Sequence, residues 1–154
     1  MIEWWIGDDA VPLLLLEGGA DQGVRDNDGC TPLHAVARWG TLKVTQRHLE
    51  LGLDINGQSY GDQTFLDHAG LWYQDVSLLL LKRGADPGAR DNDGQTALHV
   101  ASREGNLRVA QQLLKFNADV NSHDNQGRTP FQVAVEGGHD KVQKLLLEHG
   151  AQSP

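Results

Sequence analysis

The sequence predicts an all-α repeat solenoid: stacked helix-turn-helix units joined by β-turn or hairpin fingers. Three observations lead there. Residues 26–34, DNDGCTPLH, return almost letter for letter as residues 91–99, DNDGQTALH. The match widens to residues 13–34 laid over residues 78–99, an offset of 65. That offset is one short of twice 33, and the shorter period is present: Thr31, Thr64, Thr96 and Thr129 follow at intervals of 33, 32 and 33. Repeats of this length are units that cannot bury an apolar face alone and stack on their neighbours.

Each threonine opens a related stretch: TPLHAVARWG, TFLDHAGLWY, TALHVASREG and TPFQVAVEGG. Threonine is a good helix N-cap, because its hydroxyl can accept from an orphan N–H of the first turn. Pro32 and Pro130 follow at the first helical position, where a missing N–H costs nothing. Leu33 and Val36, Leu98 and Ala101, and Phe131 and Ala134 are spaced for one face of a helix. Gly40, Gly105 and Gly138 are placed to close it.

A second helix follows in each unit. Its apolar positions are Leu42, Val44 and Leu49; Leu107, Val109, Leu113 and Leu114; and Val142, Leu145, Leu146 and Leu147. It is expected to end at Gly52, Gly84, Asn117 and Gly150, asparagine being the commonest substitute for glycine in a left-handed cap. The connecting segments GLDINGQSYGDQ, GADPGARDNDGQ and NADVNSHDNQGR are rich in turn formers and suit an extended arm with a tight turn.

The pattern D-x-x-G-x-T-P-L-H-x-A…G…L-L-x-x-G-A-D resembles the ankyrin repeat, and it covers essentially the whole chain. The register divides residues 1–154 into a single domain. It has a truncated N-terminal repeat, 1–25, and four full repeats, 26–58, 59–90, 91–123 and 124–154. The resemblance implies that the histidine of T-P-L-H bonds the backbone of the neighbouring loop. The second full repeat departs from the pattern. It is one residue short near Gly70–Asp75, Asp67 stands where His34 and His99 stand, and Tyr73 replaces a glycine. The inter-loop bond is therefore in doubt there. His48 occupies a place where other repeats carry core leucines, Leu80, Leu113 and Leu146. A buried imidazole needs a partner or stays neutral, which makes this a weak point of the first repeat. Amide exchange is expected to be fastest around Gly57–Asp75.

Composition narrows the function. A chain of 154 residues can bury one stable core. Its 13 basic and 21 acidic residues give a net charge of −8, which disfavours nucleic-acid backbones and anionic membranes. Cys30 is the single cysteine, so no internal disulfide forms and a reducing, cytoplasmic setting is expected, with the nucleus allowed. The N-terminal stretch has no basic region ahead of its leucines and does not read as a signal peptide. No apolar run reaches the length of a membrane span.

Catalytic chemistry finds no constellation, so the chain reads as no enzyme, with no cofactor and no metal. His34 and His99 sit in the structural T-P-L-H place. No histidine or cysteine pair has metal-ligand spacing, and there is no phosphate loop or nucleophile elbow. The DNDG clusters suggest a calcium loop, but counting from Gly94 puts Ala89 and Val100 where an EF-hand needs acids, and Gly29 gives Val24 and Ala35. They read as turn formers. Cys30 is expected, exposed, at a finger tip.

Surface remains. The fold the resemblance implies leaves first helices and finger tips lining a concave groove. Trp39 and Trp72 hold the same place in consecutive repeats, with Trp5 and Ile6 extending the row backwards and Arg103, Glu104 and Glu136 forwards. Trp, Tyr and Arg dominate binding energy at interfaces. Partner-binding residues are therefore expected at Trp39, Trp72, Arg38, Tyr60, Tyr73 and Arg103, in a module that is monomeric and binds another protein. One alternative is a regulatory fragment of a larger protein, or a substrate of asparagine hydroxylation at Asn121. The residues 113–121, LLKFNADVN, resemble the context in which ankyrin-type proteins carry that modification. A second alternative is an engineered scaffold with no natural partner.

Overall fold

The computed structural model describes residues 17–19, 21, 23–31, 34, 42–52, 54–59, 61, 63–67 and 74–153. Six helices lie among them: α1, Leu42–Glu50; α2, Gln74–Lys82; α3, Ala97–Glu104; α4, Leu107–Lys115; α5, Pro130–Glu136; and α6, Asp140–Glu148. The third and fourth repeats each show their full pair, α3 with α4 and α5 with α6. First helices pack on first helices, α3 against α5. Second helices form their own layer, α1 on α2, α2 on α4 and α4 on α6. The result is a two-layer stack. Among the described residues the fingers contribute only one isolated antiparallel bridge, Gln58 with Thr64.

The caps explain the helix limits. Thr129 accepts from Gln132 N–H, and Pro130 starts α5 as expected. At α3 the Thr96 hydroxyl instead meets the ring of His99, with Oγ1 3.0 Å from Nδ1. The second helices end where the register places them. Gly52, Gly84, Asn117 and Gly150 are all left-handed, with φ of 81°, 94°, 64° and 91°. The following N–H of Ala85, Ala118 and Ala151 then reaches back to the carbonyl of Leu80, Leu113 and Leu146 at 3.0, 3.0 and 2.9 Å. This closes each helix with the reverse bond typical of a left-handed cap and folds a small apolar residue under it.

Burial follows the predicted faces in the main. Leu98, Leu113, Leu146 and Leu80 are completely buried, as are Ala101 and Ala134. His48 is buried in the leucine register, and its Nδ1–H donates to Val44 O at 2.8 Å, one turn back. Burial pushes its pKa below the usual value, against the opposing effect of that bond, so the ring is neutral near pH 7.

Helix α5 closes as expected on a left-handed Gly138, with φ of 70°, just after the right-handed Gly137. Three local expectations need correction. Leu42 and Leu147 are substantially exposed instead of core, because they lie at the edge of the apolar stripe of their helices. Cys30 is half-buried and lies at the base of its finger, not its tip. There Asp26 N–H donates to its carbonyl and Asp26 Oδ1 accepts its N–H.

Candidate partner-binding surface

The fingers are built by one repeated device. Asp26 accepts from the N–H of Asp28 and Cys30 at 2.9 and 2.8 Å. Asp91 does the same for Asp93 and Gln95 at 3.0 and 2.8 Å, and Asp124 for Gln126 and Arg128 at 2.9 Å each. A short carboxylate thus replaces backbone partners that a tight turn cannot supply. Burial acts to raise the Asp124 pKa, but the bonds from Arg128 and Gln126 outweigh it and hold the carboxyl below its ordinary range. The second finger has Ser59 at this place. It keeps the closing bond, Ser59 N–H to Gln63 O at 3.0 Å, without the carboxylate. Its Gly61 is not left-handed, whereas Gly29, Gly94 and Gly127 have φ of 74°, 72° and 76°.

Neighbouring fingers are tied together. The Arg25 guanidinium donates to Gly29 O in its own finger and to Gln58 O in the next, both at 2.8 Å. Gln58 Nε2 reaches Arg90 O at 3.4 Å. Arg90 donates to Gly94 O at 3.2 Å and to His123 O. Nearer the tips, Asn92 N–H donates to Gly61 O at 3.0 Å. Asn125 donates its N–H to Asp93 O and its Nδ2–H to Asn92 O, both at 2.9 Å. A Cβ on Gly94 would lie 2.9 Å from Asn125 N, so that contact requires glycine for its room as well as its φ.

The residue three places after each threonine closes the first turn. His34 Nδ1, Asp67 Oδ2, His99 Nδ1 and Gln132 Oε1 accept the threonine N–H at 3.0, 2.8, 3.2 and 2.9 Å. The histidines do more. His34 Nε2–H donates to Gln63 O at 3.2 Å, and His99 Nε2–H to Arg128 O at 3.0 Å, each in the next finger. Burial pushes the pKa of both rings down, which keeps them neutral with Nδ1 as acceptor and Nε2 as donor. Asp67 keeps the local bond only. Its Oδ1 is buried with no hydrogen-bond partner. Burial raises its carboxyl to about 6, Thr64 opposes this by bonding the charged form, and Asp91 adds to it.

Of the residues expected to bind a partner, Arg103 is the one that lies within the described structure. It is at the end of α3, its side chain 46% exposed. Nη1 donates to Gln95 Oε1 at 2.7 Å and Nε to Glu104 Oε1 at 3.3 Å. One repeat later the same two places hold Arg128 and Glu136, bonded at 3.0 Å, with Arg128 also paired to Asp124. The cation is on the helix in one repeat and on the finger in the next. Each pair fastens a finger base to its own first helix, and the helix place changes sign from Arg103 to Glu136. The places of Trp39, Trp72, Arg38, Tyr60 and Tyr73 lie outside the described residues, as do Trp5 and Ile6. Asn121 bonds the last arm of the chain. Its Nδ2–H donates to Gly150 O at 3.2 Å and its Oδ1 accepts Gln152 N–H at 3.1 Å, tying successive arms.

Sequence reasoning missed the Arg25, Gln58 and Arg90 ladder and the Arg128–Glu136 pair. The signal for the first was present, since Arg25 and Arg90 occupy the same place in the two near-identical blocks. Among the described residues no cluster of three or more His, Cys, Asp or Glu side chains could hold a metal ion. No described helix is long and apolar enough to cross a membrane.

Comparison with known proteins agrees with this layout. The family model for ankyrin repeats (3 copies) matches residues 5–91 and 72–153. The chain belongs to the ankyrin-repeat family. Among its relatives are a probable E3 ubiquitin-protein ligase, XBOS33, of Oryza sativa subsp. japonica, 42% identical over 86 residues; these are 54% of this chain and 16% of that protein. A transient receptor potential cation channel subfamily A member 1 homolog of Caenorhabditis elegans is 32% identical over 107 residues, 68% of this chain and 9% of that protein. The human SH3 and multiple ankyrin repeat domains protein 2 is 29% identical over 108 residues, 70% of this chain and 6% of that protein. The chain thus spans a sixth or less of the length of these relatives. The ankyrin repeat is in general a protein-interaction module, and the likeness extends to that module alone.

Proposed function

We propose that this chain is a non-catalytic module that docks another protein along the flank of first helices and fingers. It does so as one monomeric domain of four full repeats, 26–58, 59–90, 91–123 and 124–154, with residues 1–25 ahead of them. Trp39, Trp72, Arg38, Tyr60, Tyr73 and Arg103 are the contact residues we assign. The partner tolerates an acidic surround, presents an apolar anchor to the tryptophans, and is neither nucleic acid nor membrane. The setting is cytoplasmic, with the nucleus allowed.

The observation that carries the reading is the tying of each finger to the next. A row held by Arg25, Gln58, Arg90, Asn92 and Asn125 is ordered before a partner arrives, so docking loses little conformational entropy. Arg103 supports it as a half-exposed guanidinium already fixed in place. The test is affinity capture from a native lysate with the wild-type chain, the Trp39→Ala/Trp72→Ala double variant and Arg103→Ala, read by mass spectrometry. Loss of the captured protein in the double variant at an unchanged melting temperature is expected. Undiminished capture would move the site elsewhere.

A further inference from the structure

The junctions of the first with the second repeat and of the third with the fourth each carry a histidine bond from the first helix to the next finger. In both, the acceptor is the carbonyl just ahead of the following threonine, Gln63 O and Arg128 O. The corresponding carbonyl at the junction of the second with the third repeat is Gln95 O. It faces an aspartate register, and an ionised carboxylate has no proton to donate. We propose that Asp67 is a proton-operated joint. Ionised, it leaves this junction one bond short of its neighbours; protonated, its unpartnered oxygen becomes a donor at the place where the register supplies Gln95 O.

The surroundings favour the neutral form. Asp67 is 4% exposed, and its Oδ1 has no partner. Thr64 donates its amide and hydroxyl to Oδ2, at 2.8 and 3.0 Å, and these are the groups that support the charge. From the third repeat, Asp91 acts on it with a charge of the same sign. Neighbouring charged or titratable groups have their own partners: Arg90, at the end of the second repeat, with the Gly94 and His123 carbonyls, and in the third repeat Arg103 with Gln95 and Glu104, His99 with Thr96 and Arg128, and Arg108 with Gln74. From the first repeat, His34 bonds Gln63 O and packs edge-on against Phe65, its ring kept neutral by burial. Asp75 opens α2 and is exposed. A carboxyl raised to about 6 changes charge within the pH range of cells.

The sign is fixed by linkage. The folded pKa lies above the unfolded one, so the contribution of Asp67 is full below about 4 and is lost as pH rises through about 6. Two amides report on single junctions: Asn92 N–H bonds Gly61 O across the second, and Asn125 N–H bonds Asp93 O across the third. The experiment compares their native-state exchange protection in the full chain at about pH 7.5 and about pH 5, in wild type and in Asp67→Asn. Protection at Asn92 relative to Asn125 is expected to rise about tenfold on acidification in wild type and to stay flat in Asp67→Asn. An unchanged ratio in wild type, or the same rise in Asp67→Asn, would overturn the proposal. Should that variant fail to fold, carboxyl-carbon NMR of the wild-type chain decides: Asp67 titrating near 6 supports the joint, and a midpoint near that of an ordinary carboxylate overturns it.

Discussion

The second and third fingers, SYGDQ and DNDGQ ahead of their threonines, share only the final glutamine, and they differ as much in bonding. The third has Asp91 closing its turn with two accepted N–H groups, a left-handed Gly94 beneath Asn125, and His99 reaching into the next finger. The second has Ser59, a Gly61 that is not left-handed, and Asp67, which bonds only its own threonine. Each repeat buries a leucine of each helix, Leu66 and Leu80 in one, Leu98 and Leu113 in the other. Apolar burial therefore places the repeats in the stack, while the polar bonds between fingers decide how firmly each is joined. In a quasi-one-dimensional stack, one weak joint separates two cooperative blocks.

Leucine truncation gives the largest expected effect on this contrast. Leu113→Ala should lower unfolding free energy by about 3–5 kcal/mol, because it is completely buried in the repeat that His99 fastens to the fourth. Leu66→Ala should lower it by about 2 kcal/mol, since the looser surroundings can collapse onto the gap. Urea unfolding of the two variants measures the difference; equal losses would mean that the second repeat is as firmly held as the third.

Next comes the histidine joint. His99→Ala leaves the buried Thr96 N–H without its partner, removes the bond between fingers to Arg128 O, and should destabilise by about 2–3 kcal/mol. Acid sharpens the same comparison. His34, His48 and His99 are held below 6.5 by burial, so their contribution is present above that value and is lost as pH falls through their lowered pKa values. Asp67 runs the other way and cushions the loss. Asp67→Asn should therefore lose stability more steeply on acidification than wild type, as read from denaturation midpoints between about pH 7 and 5.

Much of this was legible in the sequence, for a physical reason. Helix ends require particular backbone angles, so glycine and asparagine at a fixed spacing announce them; Asn117 is left-handed where the register demanded it. Full burial likewise announces itself through leucine spacing. The departure at Asp67 was visible too, but not its outcome, because the side chain retains one half of the histidine's work and loses the other. The finger ladder was hidden because its acceptors are backbone carbonyls, which carry no letter. Cys30 misled for a related reason: a position in a turn says little about which flank of the finger it faces. For the candidate site, residue types at equivalent places named Arg103. Of the partners that hold it, Glu104 is the next residue, whereas Gln95 comes from folding eight residues of chain back on themselves.

Smaller effects test the fingers themselves. Gly94→Ala should cost about 1–2 kcal/mol, from its positive φ and the closeness of Asn125. Gly61→Ala should be within about 0.5 kcal/mol of wild type, since nothing lies closer than 3.9 Å to the added Cβ. Thermal melts of the pair check this, and a large loss at Gly61 would erase the distinction between the two fingers. Smallest is Glu136→Gln, which weakens an exposed pair with Arg128 and should change stability by less than about 0.5 kcal/mol.

Native-state amide exchange across the whole chain near neutral pH tests the uneven joining most directly. Residues 57–67 should open with a free energy well below that of residues 96–120, and Asn92 N–H should exchange faster than Asn125 N–H. Equal protection in the two segments would contradict the account.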